Sequence, residues 1–349
     1  MDNGKQIIAT EQVERDNFAD FLKYILISLV VLGHFINLYQ NRAVLGGLYS
    51  WIYTFHMPLF VFISGYFSKQ LNYRRKSIDT ILFPFVLFQL LNVLYAVVVP
   101  IEPLKDNIFY PYHQNWYLIA LFWWRCFVPY RQFFKKWLIV VFSFILSLLV
   151  GCFPEWGDFL GLYKTAYFFP FFVLGVYCED LAKLLSRLMR YRWILIFVFM
   201  ASIIVVFLFS TDSFLHHKML YAFKADLGYD GEWQNLFLRA CALVVSIIMC
   251  GAVLVVVRLL YNRLKYSNLY CLMEGGGTML AFLGHEFVMI PLIHFYGKFG
   301  MIGYVLCICT SFIVTFILTR KALVNFFSPL LDMSVLCRKL RIKIYNEKD

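Results

Sequence analysis

The chain has 349 residues, 61% hydrophobic, 20% aromatic and 15% charged, with a formal net charge of +11. A soluble domain carries about 25% charge, so this composition, with a mean hydropathy of +0.70, excludes a soluble enzyme and predicts an all-α integral membrane protein. The excess of Lys and Arg is no nucleic-acid footprint, because it follows membrane topology, and the scattered cysteines show neither CxxC pairs nor zinc spacing, so no metal site is predicted.

Residues 1–20 are polar and lack an apolar core followed by a small-residue cleavage site, which predicts a cytosolic segment and makes the first span the insertion signal. Ten apolar stretches then follow, near 21–40, 48–68, 79–100, 115–130, 137–153, 163–179, 192–210, 235–259, 277–296 and 300–319. A bilayer core of about 30 Å needs roughly 20 apolar residues per helix, and the stretches at 115–130, 137–153 and 163–179 are short. Ten crossings put both termini on one side. With that side cytosolic, only Arg42, Lys105, Lys164, Lys218, Lys224 and Lys298 fall in outer segments, and nearly all other basic residues face inward. The membrane domain is thus predicted over 21–319, and 320–349 forms a basic tail suited to a membrane-surface helix. The loop near 211–234, with His216 and His217, is polar and solvated.

The first span, DFLKYILISLVVLGHFI, holds Lys23 and His34 with ten residues between them. Eleven positions advance a helix by about 1100° and rise about 16 Å, so the two groups share a face. Ionisable groups are rare in a bilayer and mark functional paths; an imidazole can take a proton from a hydroxyl at neutral pH. A cation at the cytosolic end and a base deep in the span suit an anionic cosubstrate with its reactive end at the histidine. Lys23 can instead snorkel to the interface, with Asp20 as an i,i+3 partner.

In the second span His56 lies beside Pro58, which predicts a kinked helix and a widened cavity; Ser64 and Gly65 suit either that cavity or a helix contact. The fourth span opens with Trp116 and Tyr117, suited to an interfacial belt or a stacking floor for sugars, and ends near Arg125, suited to a phosphate. Pro170 and Gly175 predict an irregular sixth helix. In the ninth span Glu286 is the most deeply placed carboxylate and calls for a partner, and His285 is a candidate to line the His34 cavity.

These residues fall in blocks: RDNFADFLKYILISLVVLGHFI (15–36), YTFHMPLFVFISGYF (53–67), NWYLIALFWWR (115–125), YFFPFFVLGVY (167–177) and GTMLAFLGH (277–285). In that order they resemble the membrane-bound acyltransferase-3 superfamily, and its fucose 4-O-acetylase-like branch in particular. Lys23 stands where many relatives carry arginine, and LGHEF departs from the usual tyrosine and leucines before the last histidine, which leaves the role of Glu286 open.

The resemblance implies an O-acyltransferase of a bacterial cytoplasmic membrane, with acetyl-CoA as cosubstrate and no permanently bound cofactor. The acceptor would be a hydroxyl of a sugar, glycan or lipid-linked saccharide. On that reading Lys23, Arg74, Arg75 and Arg125 meet the phosphates of acetyl-CoA. His34 acts as general base or transient acyl carrier, assisted by Lys23 and His56, with His56 orienting the acceptor or stabilising charge at the carbonyl. Asp20, Trp116, Tyr117, His285 and Glu286 contact substrate. A transporter or flippase for a lipid-linked sugar would use similar residues, but no internal repeat supports it. Neither acceptor identity nor oligomeric state is readable from the chain.

Overall fold

A computed structural model describes residues 2–37, 43–69, 74–99, 108–152, 159–208, 232–267, 277–296 and 299–340; the side chains of 2–16, 43, 74, 75 and 232 lie outside that description. His216 and His217 also lie outside it. The described residues form helices and no strand. Among the described residues each of the ten predicted stretches is mostly helix. Among the described residues six helices are long and apolar enough to cross a membrane, or seven if a pair bent by 83° at Tyr191 is counted as one.

The helix carrying His34 (Asp2–Asn37) is the centre of the bundle. Phe21, Leu22, Leu26, Ile27, Val31, Phe35 and Ile36 are fully covered by protein, the pattern of a helix that is apolar all round because it is buried all round. By contrast Arg192–Leu208 has no buried residue, and Trp137, Val141, Phe142 and Ile145 of Lys136–Leu149 are exposed. Such apolar surface is stable against lipid.

The predicted second span is two helices, Ala43–Tyr53 and His56–Phe67, separated at Thr54 and Phe55. The expected kink is present, one turn before Pro58, at the carbonyl its ring would otherwise meet. Pro58 lies in the first turn of the second helix, where its missing N–H leaves no hydrogen bond broken, so the break comes before His56. Gly65 and Gly175 explain how that short helix is held. A side chain on Gly65 would collide with the Phe172 carbonyl, and one on Gly175 with the Phe62 carbonyl. The helices His56–Phe67 and Leu162–Tyr177 therefore cross in near backbone contact, as small residues permit in membranes. Gly65 is a packing residue rather than a cavity-widening one.

At the other end of that crossing, Leu181–Arg190 runs on its own as a short amphipathic helix. Asp180 caps it, accepting the Ala182 amide at 2.8 Å. Leu181 and Leu185 are buried while Lys183, Arg187 and Arg190 lie on other faces, a pattern suited to a membrane surface.

Candidate functional site

The first helix sets the axis of the site. At one end Lys23 Nζ pairs with Asp20 Oδ1 at 2.9 Å and lies 4.4 Å from the centre of the Phe67 ring. Three turns further on, His34 keeps one-fifth of its side chain accessible.

The helix Thr278–Tyr296 brings two groups to His34. The His285 ring meets the His34 ring edge-on at 5.1 Å between centres. Glu286, one position and about 100° on, places Oε1 3.7 Å from His34 Nδ1. Both His285 and Glu286 are wholly buried. His285 Nδ1 lies 2.9 Å from the Ala281 carbonyl; a carbonyl only accepts, so Nδ1 carries the proton and Nε2 carries the lone pair.

His113 is the third imidazole. Its Nδ1 is 3.5 Å from the same Glu286 Oε1, so the carboxylate sits between two rings. These separations exceed a formed hydrogen bond, as is common before a substrate closes a catalytic site. His113 has φ of 42°, a left-handed conformation that costs a non-glycine residue about 1–3 kcal/mol and persists only where surroundings enforce it.

Gln89 provides that enforcement. Its buried amide donates to the Ile108 and Tyr110 carbonyls, both at 2.9 Å. Its oxygen accepts from the Tyr112 amide and the Asn115 side chain, both at 3.1 Å. Two donors and two acceptor positions are thereby all engaged, and the 108–115 segment is pinned on both sides of His113.

His56 enters the site through the helix break. Its Nδ1 lies 2.8 Å from the Ile52 carbonyl, so neutral His56 presents the Nε2 lone pair. Of its two expected roles, this tautomer suits orienting an acceptor, since His56 can receive a proton or hydrogen bond at Nε2 but has no N–H left to give a carbonyl oxygen.

Two cavities result. One, of about 390 Å³, is bordered by His34, His56, His113, Lys164, Trp116, Gln114, Tyr49 and Tyr53. Aromatic faces, hydroxyls and an amide around a water-accessible space suit a polyhydroxylated ligand. Lys164 Nζ lies 5.5 Å from the Trp116 ring centre. The other cavity, of about 280 Å³, is bordered by Lys23, Arg125, Ser64, Tyr117, Thr80 and Thr278. Arg125 Nε donates to Ser68 Oγ at 3.0 Å. Phe282 borders both cavities.

The predicted residues thus divide. His34, His56 and Trp116 border the first cavity, with His285 and Glu286 packed behind His34. Lys23, Arg125 and Tyr117 border the second. Trp116 and Tyr117, grouped together from sequence, point into different cavities because neighbours on a helix diverge by about 100°. Asp20 serves Lys23 and borders neither. The side chains of Arg74 and Arg75 lie outside the described residues. Unforeseen were His113, Gln89, Lys164 and Phe282. His113 had a signal, since it opens the HQNWYL run; Gln89 had none beyond being an amide in an apolar helix.

The donor atoms of His34, His285 and Glu286 lie within 4.8 Å of one another. That spacing can close on one divalent cation, and a carboxylate between imidazoles serves equally as a proton partner.

Comparison with known proteins gives a family match and two relatives. A family described as an acyltransferase domain matches residues 16–320. The Nodulation protein NolL of Mesorhizobium japonicum is 25% identical over 307 residues, 80% of this chain and 79% of that protein. The Nodulation protein NolL of Sinorhizobium fredii is 26% identical over 309 residues, 80% of each. No solved structure matches.

Proposed function

Given that the chain belongs to the acyltransferase family matched over residues 16–320, we propose that this multi-pass membrane protein is an O-acetyltransferase of the fucose 4-O-acetylase-like branch. It moves an acetyl group from cytosolic acetyl-CoA to a hydroxyl of a sugar, glycan or lipid-linked saccharide. The observation that carries this reading is the pair of cavities meeting at Phe282, one with Lys23 and Arg125 and the other with His34, which Glu286 backs from outside the cavity. The first has the charge and position for the phosphates of a nucleotide thioester; the second has a base and a polar, aromatic wall for a saccharide. Both termini face the cytosol on this reading, as the distribution of basic residues supports.

The helical rise from Lys23 to His34, about 16 Å, is a reach that an extended pantetheine arm can cover. Glu286 beside Nδ1 holds His34 with its N–H toward the carboxylate, leaving Nε2 as the base. This is the logic of a carboxylate–imidazole pair, in which the carboxylate fixes the tautomer and stabilises the imidazolium. Nε2 takes the proton from the acceptor hydroxyl as its oxygen attacks the thioester carbonyl. Collapse of the tetrahedral intermediate breaks the C–S bond, and His34 returns its proton to the departing thiolate. The products are the acetyl ester and free CoA. His56 Nε2 orients the acceptor by accepting from a neighbouring hydroxyl, and Trp116 offers it a stacking face.

The test uses membrane vesicles containing the native acceptor, with the cytosolic face accessible. Acetyl-labelled acetyl-CoA is added to wild type and to His34→Ala at matched protein levels. Label reaches glycan only in wild type. Label trapped on protein would convert the base reading into a covalent relay through His34. Neither transfer nor CoA binding would discard the reading in favour of a transporter, and full transfer by His34→Ala would discard His34.

A further inference from the structure

A third cavity, of about 580 Å³, is larger than either cavity of the site. Leu59 and Phe62 of the helix His56–Phe67 border it, whereas Phe60 and Ser64 of the same helix border the Lys23 cavity. A different face of one short helix therefore backs it. Phe171, Leu184, Ile247 and Leu254 complete an apolar interior. Ile247 lies midway along Glu232–Leu264 and is exposed, so the cavity opens sideways to the hydrocarbon of the bilayer.

One end of this apolar space is charged. Lys136, Lys183 and Arg187 border it, and among the described residues no carboxylate forms an ion pair with any of the three. Lys136 Nζ lies 5.3 Å from the centre of the Tyr177 ring, which also borders the cavity. Lys183 and Arg187 project from the amphipathic helix Leu181–Arg190. The span that follows leaves it at 83°, so this helix lies along the membrane surface and roofs the cavity. Two more cations meet at the same corner: Lys69 Nζ donates to the Glu179 carbonyl at 3.1 Å, and Arg131 Nη2 donates to the Lys69 carbonyl at 3.0 Å. The carboxylates there are Glu179 and Asp180, and Asp180 already accepts the Ala182 amide. Lys69, Arg131, Lys136, Lys183 and Arg187 outnumber them.

We propose that this cavity binds an anionic glycerophospholipid of the surrounding bilayer. Its phosphate sits among Lys136, Lys183 and Arg187, and an acyl chain runs inward against Phe62 and Leu59. An apolar space that opens to lipid fills with lipid chains, and the cations at its surface end choose the headgroup. Each Lys or Arg at a membrane surface favours an anionic lipid by about fivefold. The bound chain supplies packing behind the helix that carries His56 and Ser64, so the lipid supports that helix from outside the donor and acceptor cavities. The site does not depend on the reaction.

The test uses the purified full-length protein in detergent, equilibrated with equal amounts of phosphatidylglycerol and phosphatidylcholine of matched chains. Native mass spectrometry counts the lipid retained. Wild type retains phosphatidylglycerol about tenfold or more over phosphatidylcholine. Lys183→Gln combined with Arg187→Gln lowers that preference about fivefold or more; both side chains are exposed, so the fold is not at risk. Gly251→Phe fills the cavity and abolishes retention of phosphatidylglycerol. A Cβ on Gly251 would meet only Leu188 Cδ2, at an ordinary 3.7 Å, so the ring enters without striking backbone. Val140→Trp fills the same space should Gly251→Phe fail to fold. A wild-type preference below about twofold, or a charge variant within about twofold of wild type, overturns the headgroup site. Wild-type retention in a well-folded filled variant overturns its location. Phosphatidylglycerol should also raise the melting temperature of wild type more than phosphatidylcholine does, and should lose that advantage in the filled variant. An equal advantage in both overturns the support given to the His56 helix. None of these readouts requires acyl transfer, so they stand whether or not the acetyltransferase reading does.

Discussion

The Gln89 clamp gives a positioning effect whose size can be worked from the structure. Gln89→Leu keeps a side chain of similar volume but strands the Ile108 and Tyr110 carbonyls, the Tyr112 amide and the Asn115 side-chain amide. A buried polar group left unpaired costs about 1–3 kcal/mol. The segment can regain part of that by shifting toward solvent, which leaves about 2–4 kcal/mol favouring release of the 108–115 loop. Release also relieves the left-handed conformation at His113, which adds about 1–3 kcal/mol in the same direction. Because each 1.4 kcal/mol is tenfold, the loop need give up only a fraction of this to leave under a tenth of molecules with His113 beside Glu286. The expected result is a fall in kcat of about tenfold to a hundredfold, with donor KM near wild type because the Lys23 cavity is untouched. The assay is labelled transfer in vesicles at matched protein level, run as a double-mutant cycle with His113→Ala. If Gln89 acts through His113, Gln89→Leu combined with His113→Ala is no slower than His113→Ala alone. Multiplying losses, or Gln89→Leu within twofold of wild type, would refute the clamp.

Three further expectations follow from the same geometry. Lys23→Gln removes a point charge from the donor cavity without touching His34, so the KM for acetyl-CoA should rise several-fold with kcat largely kept; steady-state kinetics over donor concentration reads this. Gly65→Leu and Gly175→Leu each drive a side chain into a backbone carbonyl of the opposing helix, so both should lose the monodisperse peak on size exclusion in detergent. If His34 works as a base paired with Glu286, EDTA should leave transfer unchanged and elemental analysis should find well under one divalent ion per chain. A stoichiometric ion whose removal abolishes transfer would make His34, His285 and Glu286 its ligands.

Much of the fold could be read from sequence because a bilayer forces its spans to be apolar and helical. Composition and the ten stretches predicted the helices, and the spacing of Lys23 and His34 placed them on one face. What composition could not show was where a helix stops inside an apolar run. Residues 48–68 are largely apolar, and the proline marks the break at Thr54–Phe55, one turn before it, but not that the chain there divides into two separate helices. Gly65 and Gly175 look alike as cavity formers or contacts in a single chain; only their placement opposite backbone carbonyls decides. Gln89 is the clearest case of information that sequence withholds, since all four of its bonds reach residues more than fifteen positions away. His34, His285 and Glu286 were each singled out, but that they meet depends on how two helices distant in the chain turn toward each other.

Glu286 allows function to be separated from stability. Burying a carboxylate costs several kcal/mol that attraction to nearby groups recovers only with good geometry, and its contacts to His34 and His113, at 3.7 and 3.5 Å, are longer than hydrogen bonds. Both imidazoles border a water-accessible cavity, so each can find another partner when the carboxylate is gone. Glu286→Leu fills similar space with an apolar group. It should therefore leave the melting temperature in detergent unchanged or higher. Transfer should fall by at least a hundredfold, with Glu286→Gln falling comparably because an amide keeps the shape but not the charge that stabilises an imidazolium. Comparable losses in both variants, without loss of melting temperature, would mean the fold retains Glu286 at the expense of stability because His34 needs a charge beside it. A drop of more than a few degrees in Glu286→Leu, with transfer kept in Glu286→Gln, would mean that Glu286 holds the bundle together and that His34 works without it.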